Sequence, residues 1–470
     1  MLSVLTRLFQ AGLLLLLLAV WVVASSDSSI AGTGPLVAVA TGGSHTCALT
    51  GNGEVWCWGA NDQGQLGGQT VAMSAVPLLV EGLGTATQLS AGSDHSCVVT
   101  VTGGVRCWGR NDFGQLGNGV FRGSAQPSDV CEPASVSGLD IALRDAGSGS
   151  CEPMSGVVGL SVGGAHACVV VSTGSVRCWG INQDGELGDG SLEARNVPVI
   201  VGGLARDATE VTSGHFHTCA LLETGAMQCW GFNATGQLGD GTTTLSVTPV
   251  DVLGLPGPVV SMSAGGVQTC ALTSRGELLC WGGNADGQVG DGSLINRRLP
   301  TAVAGLDAGV RAVAAGWKHT CAILADEGMA CWGQNDRGQL GNGSLLDSGI
   351  PLQVTRLPKA LLLDVGGIRS GNVSHSCAFA RGGGLHCWGA NVEGQLGIGT
   401  LTNAGVPVAV RGLSPDVDCS GEVTSVDVAL LLQLHVGLLS SLACPGADVN
   451  GDAVANSLDA VLILQFIAGL

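Results

Sequence analysis

A single motif recurs seven times along this chain, and this repetition limits the possible fold more than any other feature. Each copy contains Gly-x-x-His-[Thr/Ser]-Cys-Ala-Leu, a short turn, and then Cys-Trp-Gly-x-Asn-x-x-Gly-Gln-Leu-Gly, with small variations. The second cysteine follows the first by 10 residues in all seven copies, and the first cysteines of successive copies are 50, 71, 51, 51, 51 and 56 residues apart. A fixed period of about 50 residues is typical of repeat arrays such as propellers and solenoids.

Within one copy, the residues favour short strands separated by tight turns. In the first copy, residues 46–49 and 55–58 flank a turn at residues 50–54 that contains two glycines. Three or four strands in each of seven copies predict an all-β fold, a seven-bladed β-propeller with one sheet per blade. A solenoid of stacked β-units is the alternative, but a solenoid needs polar caps at its ends, and no obvious caps are present.

The paired cysteines lie symmetrically about the hairpin turn. If Cys47 is opposite Cys57, their Cα atoms are about 4.5–5.5 Å apart, which is within disulfide range. Buried free thiols are the alternative, and the spacing is too wide for a typical metal site. Disulfides are therefore predicted for Cys47 with Cys57, Cys97 with Cys107, Cys168 with Cys178, Cys219 with Cys229, Cys270 with Cys280, Cys321 with Cys331, and Cys377 with Cys387.

Four further cysteines lie outside the repeats. Cys131 and Cys151, each in a Cys-Glu-Pro triplet, belong to an insert near residues 121–155 that follows the second copy. This insert is interpreted as a disulfide-stapled loop with a binding role, because long loops in compact folds are often functional. A neutral insertion is the alternative. Cys419 and Cys444 are candidates for a disulfide near the C-terminus.

The N-terminus predicts export. One basic residue, Arg7, precedes an apolar run that ends before the polar residues 25–27. This is the layout of a signal peptide spanning residues 1–24, and a retained membrane anchor is the alternative. Eighteen cysteines are also more than a reducing compartment usually tolerates. We therefore expect a secreted or cell-surface protein without a membrane span after cleavage.

Composition argues against nucleic-acid binding. The chain has 19 Lys+Arg against 37 Asp+Glu, for a formal net charge of −18. Phosphate affinity depends mostly on clustered lysine and arginine, which this chain lacks.

Residues that recur in every copy are assigned to blade architecture rather than to catalysis. The histidine two residues before the first cysteine is replaced in only one copy, by Gln268, and the tryptophan of each Cys-Trp-Gly is expected to pack between blades. Outside the repeats, no cluster of Asp, Glu, His, Ser or Cys has a spacing expected of catalytic residues. No catalytic residue is therefore predicted, and enzyme activity is left open. The position before each Cys-Trp varies and is predicted to be partly exposed; it holds Trp56, Arg106, Arg177, Gln228, Leu279, Ala330 and His386.

The seven motifs resemble those of the regulator-of-chromosome-condensation repeat family, whose members are seven-bladed propellers. The resemblance covers roughly residues 32–413 and looks closest to the cysteine-rich, exported bacterial branch. It implies a binding protein. One chromatin-bound member of the family is a nucleotide exchange factor, but export and the acidic charge oppose that function for this chain.

After residue 413 the composition changes. Residues 414–470 contain no lysine or arginine and seven acids. Residues 416–427 and 448–459 each fit a 12-residue calcium loop, with oxygen-bearing side chains at positions 1, 3, 5, 9 and 12, and each is followed by a short apolar helix. An acidic solvated tail is the alternative.

This duplicated unit resembles a type I dockerin, which would form a small α-helical calcium-loop domain. The resemblance implies two Ca²⁺ sites, the second in more doubt because Ala453 replaces a glycine. The implied ligands are Asp416, Asp418, Ser420, Glu422 (carbonyl), Thr424 and Asp427 for the first, and Asp448, Asn450, Asp452, Val454 (carbonyl), Asn456 and Asp459 for the second. A cohesin-type partner would contact Ser425, Val426, Leu432, Gln433, Ser457, Leu458, Leu464 and Gln465.

Three functions follow from these observations. The first is a secreted, non-catalytic scaffold whose propeller recognises a protein or glycan and whose tail docks to a cohesin-type partner. The second is a polysaccharide-active enzyme or a subunit of a polysaccharide-degrading assembly. The third is a guanine-nucleotide exchange factor.

Overall fold

The computed structural model describes residues 36–411, except 69, 133–151, 369–372 and 382–383, and also residues 429–430 and 432–433. Its strands form seven four-stranded antiparallel sheets, each built from consecutive strands, and one two-stranded hairpin. The predicted all-β seven-bladed propeller is confirmed. Each repeat of the sequence forms one blade.

The first four blades have the following strands. Blade 1 contains β1 Leu36–Thr41, β2 His45–Thr50, β3 Val55–Ala60 and β4 Met73–Leu79; blade 2 contains β5 Ala86–Ala91, β6 His95–Thr100, β7 Val105–Gly109 and β8 Ser124–Asp129. The two-stranded hairpin is formed by β9 Cys131–Glu132 and β10 Glu152–Pro153. Blade 3 contains β11 Val157–Val162, β12 His166–Val171, β13 Val176–Gly180 and β14 Arg195–Ile200; blade 4 contains β15 Ala208–Ser213, β16 His217–Leu222, β17 Met227–Gly231 and β18 Ser246–Asp251.

The last three blades follow the same plan. Blade 5 contains β19 Val259–Ala264, β20 Gln268–Thr273, β21 Leu278–Gly282 and β22 Arg297–Ala302. Blade 6 contains β23 Val310–Ala315, β24 His319–Leu324, β25 Met329–Gly333 and β26 Ser348–Gln353; blade 7 contains β27 Ala360–Ile368, β28 Val373–Ala380, β29 Leu385–Gly389 and β30 Ala404–Ala409.

The second and third strands of each blade form the hairpin that carries the paired cysteines. In blade 1, Cys47 is directly opposite Cys57, and their Cα atoms are 4.1 Å apart. All seven predicted repeat disulfides are formed, and their sulfur-bearing residues are fully buried. Seven such bonds indicate an oxidising compartment. Cys131 is disulfide-bonded as well, whereas Cys151, Cys419 and Cys444 lie outside the described residues.

The first strand of each blade lies innermost, and these seven strands contact one another in a ring around a central channel. Among the described residues, blades 1 and 7 are each built from four consecutive strands, and backbone as well as side-chain contacts join them: the Gly367 amide donates to the Gly42 carbonyl at 3.2 Å. The Asp364 carboxylate accepts hydrogen bonds from the Thr41 backbone amide at 2.7 Å and from the Thr41 hydroxyl at 2.9 Å.

Glycine is required where the inner ends of the blades meet. A Cβ on Gly92 would lie 2.2 Å from the Gly163 carbonyl of the next blade, and a Cβ on Gly265 would lie 2.4 Å from the Gly316 carbonyl. Neither contact is sterically possible, so the first glycine of each Gly-x-x-His motif permits the close approach of inner strands.

The apolar core lies between blades rather than within them. In one cluster, Met227 and Leu238 of blade 4 pack with Met262 and Trp281 of blade 5. Each repeat tryptophan is fully buried, and its indole donates to a main-chain carbonyl of the preceding blade at 2.8–3.0 Å. The donor–acceptor pairs are Trp58 with Gln395, Trp108 with Gln65, Trp179 with Gln115, Trp230 with Glu186, Trp281 with Gln237, Trp332 with Gln288, and Trp388 with Gln339.

The predicted dockerin-like domain and the signal peptide are not tested by the described residues. Beyond residue 411, only residues 429–430 and 432–433 are described; their backbone is helical, and Leu432 and Gln433 are exposed. The two calcium loops, residues 416–427 and 448–459, lie outside the described part, as do residues 1–24. In the part that is described, no helix has both the length and the apolar character needed to cross a membrane.

Candidate protein-binding face at the mouth of the central channel

Because strands alternate in direction, the loops of each blade fall on two opposite faces. Loops from the first to the second strand and from the third to the fourth strand lie on one face, which we call the upper face. Loops from the second to the third strand, and from each blade to the next, lie on the lower face. The insert after β8 and the chain beyond β30 therefore leave from the lower face.

The upper face carries a group of rings that the repeat does not explain. His215 and Phe216 come from the blade 4 inner loop, Trp317 from that of blade 6, and Phe232 from the turn after β17. The rings of His215 and Trp317 meet edge-on with centroids 4.5 Å apart, and Phe216 lies 5.9 Å from Trp317 and 6.0 Å from Phe232. We call these four residues the mouth cluster.

Small residues in neighbouring blades leave room for the mouth cluster. At the position that corresponds to Trp317, blade 5 has Gly266, and a Cβ there would lie 2.6 Å from the Trp317 ring. Gly164 of blade 3 is likewise close to His215, whose backbone a Cβ would approach to 2.8 Å. The variable residues of the Gly-x-x-His loops therefore alternate between large and small from blade 3 to blade 6.

A hydrogen bond crosses the channel mouth. His215 Nε2 donates to the Gly367 carbonyl of blade 7 at 3.0 Å, although blades 4 and 7 are three blades apart in a ring of seven. Burial lowers the pKa of His215 to about 4, although the bond to Gly367 opposes this shift. The imidazole is thus neutral near pH 7 and keeps its Nε2 proton on the bond that spans the mouth.

An ion pair lies next to the mouth cluster in the sequence. Lys318, which follows Trp317, forms an ion pair with Asp286 at 3.3 Å. Phe216 and Phe232 are half-buried, whereas Trp317 is 6% exposed. The result is a shallow apolar patch bordered by polar groups, a combination that marks interaction surfaces.

The six repeat histidines are structural, as predicted. Six of the seven positions hold histidine, all fully buried, and five of these bond a hydroxyl of the next blade at 2.7–2.9 Å. Burial lowers the pKa of each of the six to about 3 or 4, so they are neutral near pH 7. Among the described residues, no group of three or more His, Cys, Asp or Glu side chains could hold a metal ion.

The variable position before each Cys-Trp is less exposed than expected. Trp56, Arg106 and Arg177 are half-buried, and the other four residues are buried, His386 with 8% exposure. The third strand lies between the second and fourth strands of its blade, and residues of the neighbouring blades pack against it, so its side chains have little access to solvent. Arg106 instead forms an ion pair with Asp129 of β8 at 2.8 Å.

The described part of the insert is anchored to the lower face. Ser124–Asp129 forms the ordinary fourth strand β8, and β9 pairs with β10. Met154 is buried in the core between blades 2 and 3. Residues 133–151 lie outside the described part, so the binding role of the insert stays a prediction.

Sequence reasoning missed the mouth cluster. The signal was present, because the two variable residues of Gly-x-x-His are His215 and Phe216 in the fourth copy and Trp317 and Lys318 in the sixth. These pairs are bulkier than the corresponding Gly43 and Ser44 of the first copy. Their proximity, however, depends on ring closure, which brings residues a hundred positions apart together.

Comparison of the chain with models of known protein families agrees with the repeats, the ring of blades and the contacts between blades. A family model described as the RCC1-like domain matches residues 22–367, which is more than half of the chain. The chain belongs to the RCC1-like domain family. A second model, the regulator of chromosome condensation (RCC1) repeat, matches residues 382–426 and so extends into the segment assigned by sequence to the first calcium loop.

Proteins that are similar in sequence to this RCC1-like chain include a receptor and a ubiquitin-protein ligase. The ultraviolet-B receptor UVR8 of Arabidopsis thaliana is 32% identical over 260 residues, which cover 55% of this chain and 58% of UVR8. The E3 ubiquitin-protein ligase HERC2 of Homo sapiens is 30% identical over 263 residues, 54% of this chain but 5% of HERC2. The chain thus matches less than two thirds of each relative.

Solved structures share the fold. Human WBSCR16 superposes with a TM-score of 0.62 at 23% identity, over 74% of this chain and 88% of that chain. Yeast RCC1 (Prp20), solved bound by Kap60, gives a TM-score of 0.63 at 20% identity, over 82% of this chain and 89% of that chain. At these identities the likeness shows the fold alone.

Proposed function

We propose that this RCC1-like chain is a non-catalytic binding protein that holds a protein partner at the mouth cluster. The observation that carries the proposal is the gathering of His215, Phe216, Phe232 and Trp317 at one spot of an otherwise repetitive ring. Aromatic residues are only 4% of the chain, and seven of its tryptophans are committed to interblade contacts. Aromatic side chains at a rigid apolar patch are typical anchors of protein interfaces.

A protein partner fits this patch better than a glycan. Trp317 is 6% exposed and leaves little ring face on which a sugar could stack. The two half-buried phenylalanines offer edges and a shallow depression, which suit an apolar side chain of another protein. The bordering ion pair of Lys318 and Asp286 supplies a polar rim.

Phe216→Ser tests this proposal. Proteins captured by the wild-type chain from the culture fluid of its source are compared with those captured by the variant, and the affinity of the purified partner is then measured by calorimetry. We expect the variant to bind at least about tenfold more weakly, as for the loss of an interface anchor. Ile200→Ser is the control, because Ile200 is 63% exposed at the end of β14, the outermost strand of blade 3, and belongs neither to the mouth cluster nor to the insert. Equal loss in both variants, or loss in neither, would contradict the proposal.

We also propose that the C-terminal segment is a calcium-dependent docking module for a cohesin-type partner. The support is the pair of in-register 12-residue loops with ligand-type residues at the same positions. Calorimetric titration of the full chain with Ca²⁺ should give two sites per chain. Asp416→Ala should remove the tighter site, because its loop keeps Gly421, and Asp448→Ala the weaker one. No heat of binding at millimolar Ca²⁺ would reject the module.

We propose that these parts together form a secreted bacterial scaffold, with the propeller as the recognition unit and the tail as the attachment unit. A role in a polysaccharide-degrading assembly is the alternative that the dockerin-like pattern favours. Release of reducing sugar from plant polysaccharides by the purified chain would favour an enzyme, whereas binding without hydrolysis would favour the scaffold. The exchange-factor hypothesis predicts accelerated nucleotide release from a small GTPase, which we do not expect.

A further inference from the structure

Basic residues gather on the lower face where blades 6 and 7 meet. They come from the start of β23, from the segment that joins β26 to β27, and from the turn between β28 and β29. The side chains of Arg311, Lys359 and Arg381 are each more than half exposed. Arg356, three residues before Lys359 in the joining segment, is exposed as well. We call these four residues the basic patch.

An acidic residue in an unusual position brings part of the basic patch together. Glu327 lies in the turn between β24 and β25, at a place where each of the other six copies has glycine. Its φ is 66°, in the left-handed region that favours glycine. Its carboxylate accepts hydrogen bonds from Arg381 Nε at 2.7 Å and from Arg311 Nη1 at 3.1 Å, and these bonds lower the pKa of Glu327 to about 2. The repeat is therefore altered here in a way that places two guanidinium groups of neighbouring blades side by side.

The acids of this junction do not use up its positive charge. Asp326 forms an ion pair with Lys359 at 3.5 Å, so the four basic residues are opposed by two acids and leave a net charge of +2. Arg381 bonds Glu327 through Nε and Nη2, which leaves its Nη1 protons without a partner among the described residues. The basic patch can thus accept a further acidic group.

The chain itself supplies an acidic segment beside the basic patch. The Val410 amide donates to the Leu385 carbonyl at 2.8 Å, and Leu385 directly follows the turn that contains Arg381. Asp416 comes only five residues after the last described residue of blade 7, a length that spans at most about 18 Å. Residues 416–427 contain four acids and no basic residue. An acidic segment therefore begins within reach of a basic one.

We propose that the basic patch binds the acidic segment 416–427 of the same chain when that segment holds no metal ion. The charges are complementary, and the short tether keeps the segment at an effective concentration of about millimolar, so that weak charge pairs suffice. The contact does not depend on the proposed calcium module, because it uses only the charge and the position of the segment. It is also separate from the mouth cluster, which lies on the upper face.

Carbodiimide cross-linking of the dilute full chain tests this contact, because the chain has only two lysines, Lys318 and Lys359. The reagent joins a lysine amine to a carboxylate that touches it, and a chelator keeps the carboxylates of the segment free of calcium. Mass spectrometry of the monomeric product should find residues 416–427 linked to Lys359 and not to Lys318, which lies on the upper face. The link should weaken at about 1 M salt, where the Debye length is about 3 Å.

Charge changes in the basic patch give the decisive comparison. The double variant Arg356→Glu with Arg381→Gln should lose most of the link to residues 416–427 but keep the link between Lys359 and Asp326, which reports an intact junction. Arg356→Glu alone serves if the double variant does not fold. Arg275→Glu is the matched control, because Arg275 is exposed in the corresponding turn of blade 5, and it should keep both links. No link between Lys359 and the segment in the wild type, a link found only in dimers, or an unchanged link in the double variant would overturn the proposal.

Discussion

Two blade junctions of the same ring are built from different sets of contacts. Between blades 4 and 5, Thr269 bonds His217 at 2.8 Å and also donates to the Gln237 carbonyl, so the hydroxyl joins both blades. Between blades 2 and 3, the corresponding residue is Ala167 and not a hydroxyl. Nε2 of His95 is consequently buried without a hydrogen-bond partner, whereas Nδ1 lacks one in all six repeat histidines.

The second junction nevertheless keeps the geometry of the first. Trp179 donates to the Gln115 carbonyl at 2.9 Å, as Trp281 donates to the Gln237 carbonyl at 3.0 Å. The buried tryptophan and its apolar neighbours therefore determine how the blades pack, and the histidine–hydroxyl bond adds to a junction that is already formed. We therefore expect loss of the tryptophan to lower the stability of the chain more than any change at the histidine–hydroxyl bond.

Removing a tryptophan should have the largest effect. Trp281→Ala should destabilise the chain by about 3–5 kcal/mol, because it leaves a cavity between blades 4 and 5 and removes one of the two hydrogen bonds to the Gln237 carbonyl. Denaturant unfolding under non-reducing conditions measures the change. Leu294→Ala is the control, since Leu294 is 64% exposed on the rim, and it should shift stability by less than about 0.5 kcal/mol. A similar loss in both variants would show that the junction does not depend on the tryptophan.

A second difference lies between blades 3 and 4, where Glu186 replaces the glutamine of the other six copies. Glu186 is fully buried, and one of its carboxylate oxygens has no hydrogen-bond partner. Burial raises its pKa to about 7, and nearby Asp184 adds to the shift. Glu186→Gln should stabilise the chain by roughly 1–3 kcal/mol at pH 8.

The pH dependence makes this prediction specific. An acid whose pKa is raised in the folded state costs nothing below the unfolded pKa of 4.5, so the gain should be absent at pH 4.5. It should grow as the pH rises towards about 7 and stay constant above that value. The reciprocal variant Gln115→Glu should lose stability over the same interval. A gain that is equal at pH 4.5 and pH 8 would contradict the carboxylate explanation.

The repeated part of this fold is predictable from sequence because each contact recurs seven times. The spacing of 10 residues between cysteines predicted the disulfides, and the invariant tryptophans predicted packing between blades. Ring closure was predicted, but the bonds between Asp364 and Thr41, which add to the repeated contacts at the junction of blades 7 and 1, were not. Asp364 and Thr41 are 323 residues apart, and neither belongs to the repeated motif.

The mouth cluster was the least predictable part, because its residues are also far apart in the sequence. Phe216 and Trp317 are 101 residues apart in the sequence and come into contact only because blades 4 and 6 share a narrow channel mouth. The position before each Cys-Trp, which varies more visibly, was predicted to be partly exposed, but this holds for only three of its seven residues, and the other four are buried. Variation along a repeat therefore identifies candidates, but the position of each residue within the blade decides whether it reaches solvent.

The smallest change in stability is predicted for the variant that makes the junction of blades 2 and 3 resemble the others. Ala167→Ser places a hydroxyl opposite His95, as Ser96 lies opposite His45 at 2.8 Å in the preceding junction. A buried donor and acceptor that become paired should stabilise the chain by about 0.5–1.5 kcal/mol. The double variant with His95→Gln tests the cause, because Gln268 already occupies this position in blade 5 and bonds the Gly316 carbonyl instead of a hydroxyl. The serine should then give little gain, and an equal gain in both backgrounds would mean that it acts without His95.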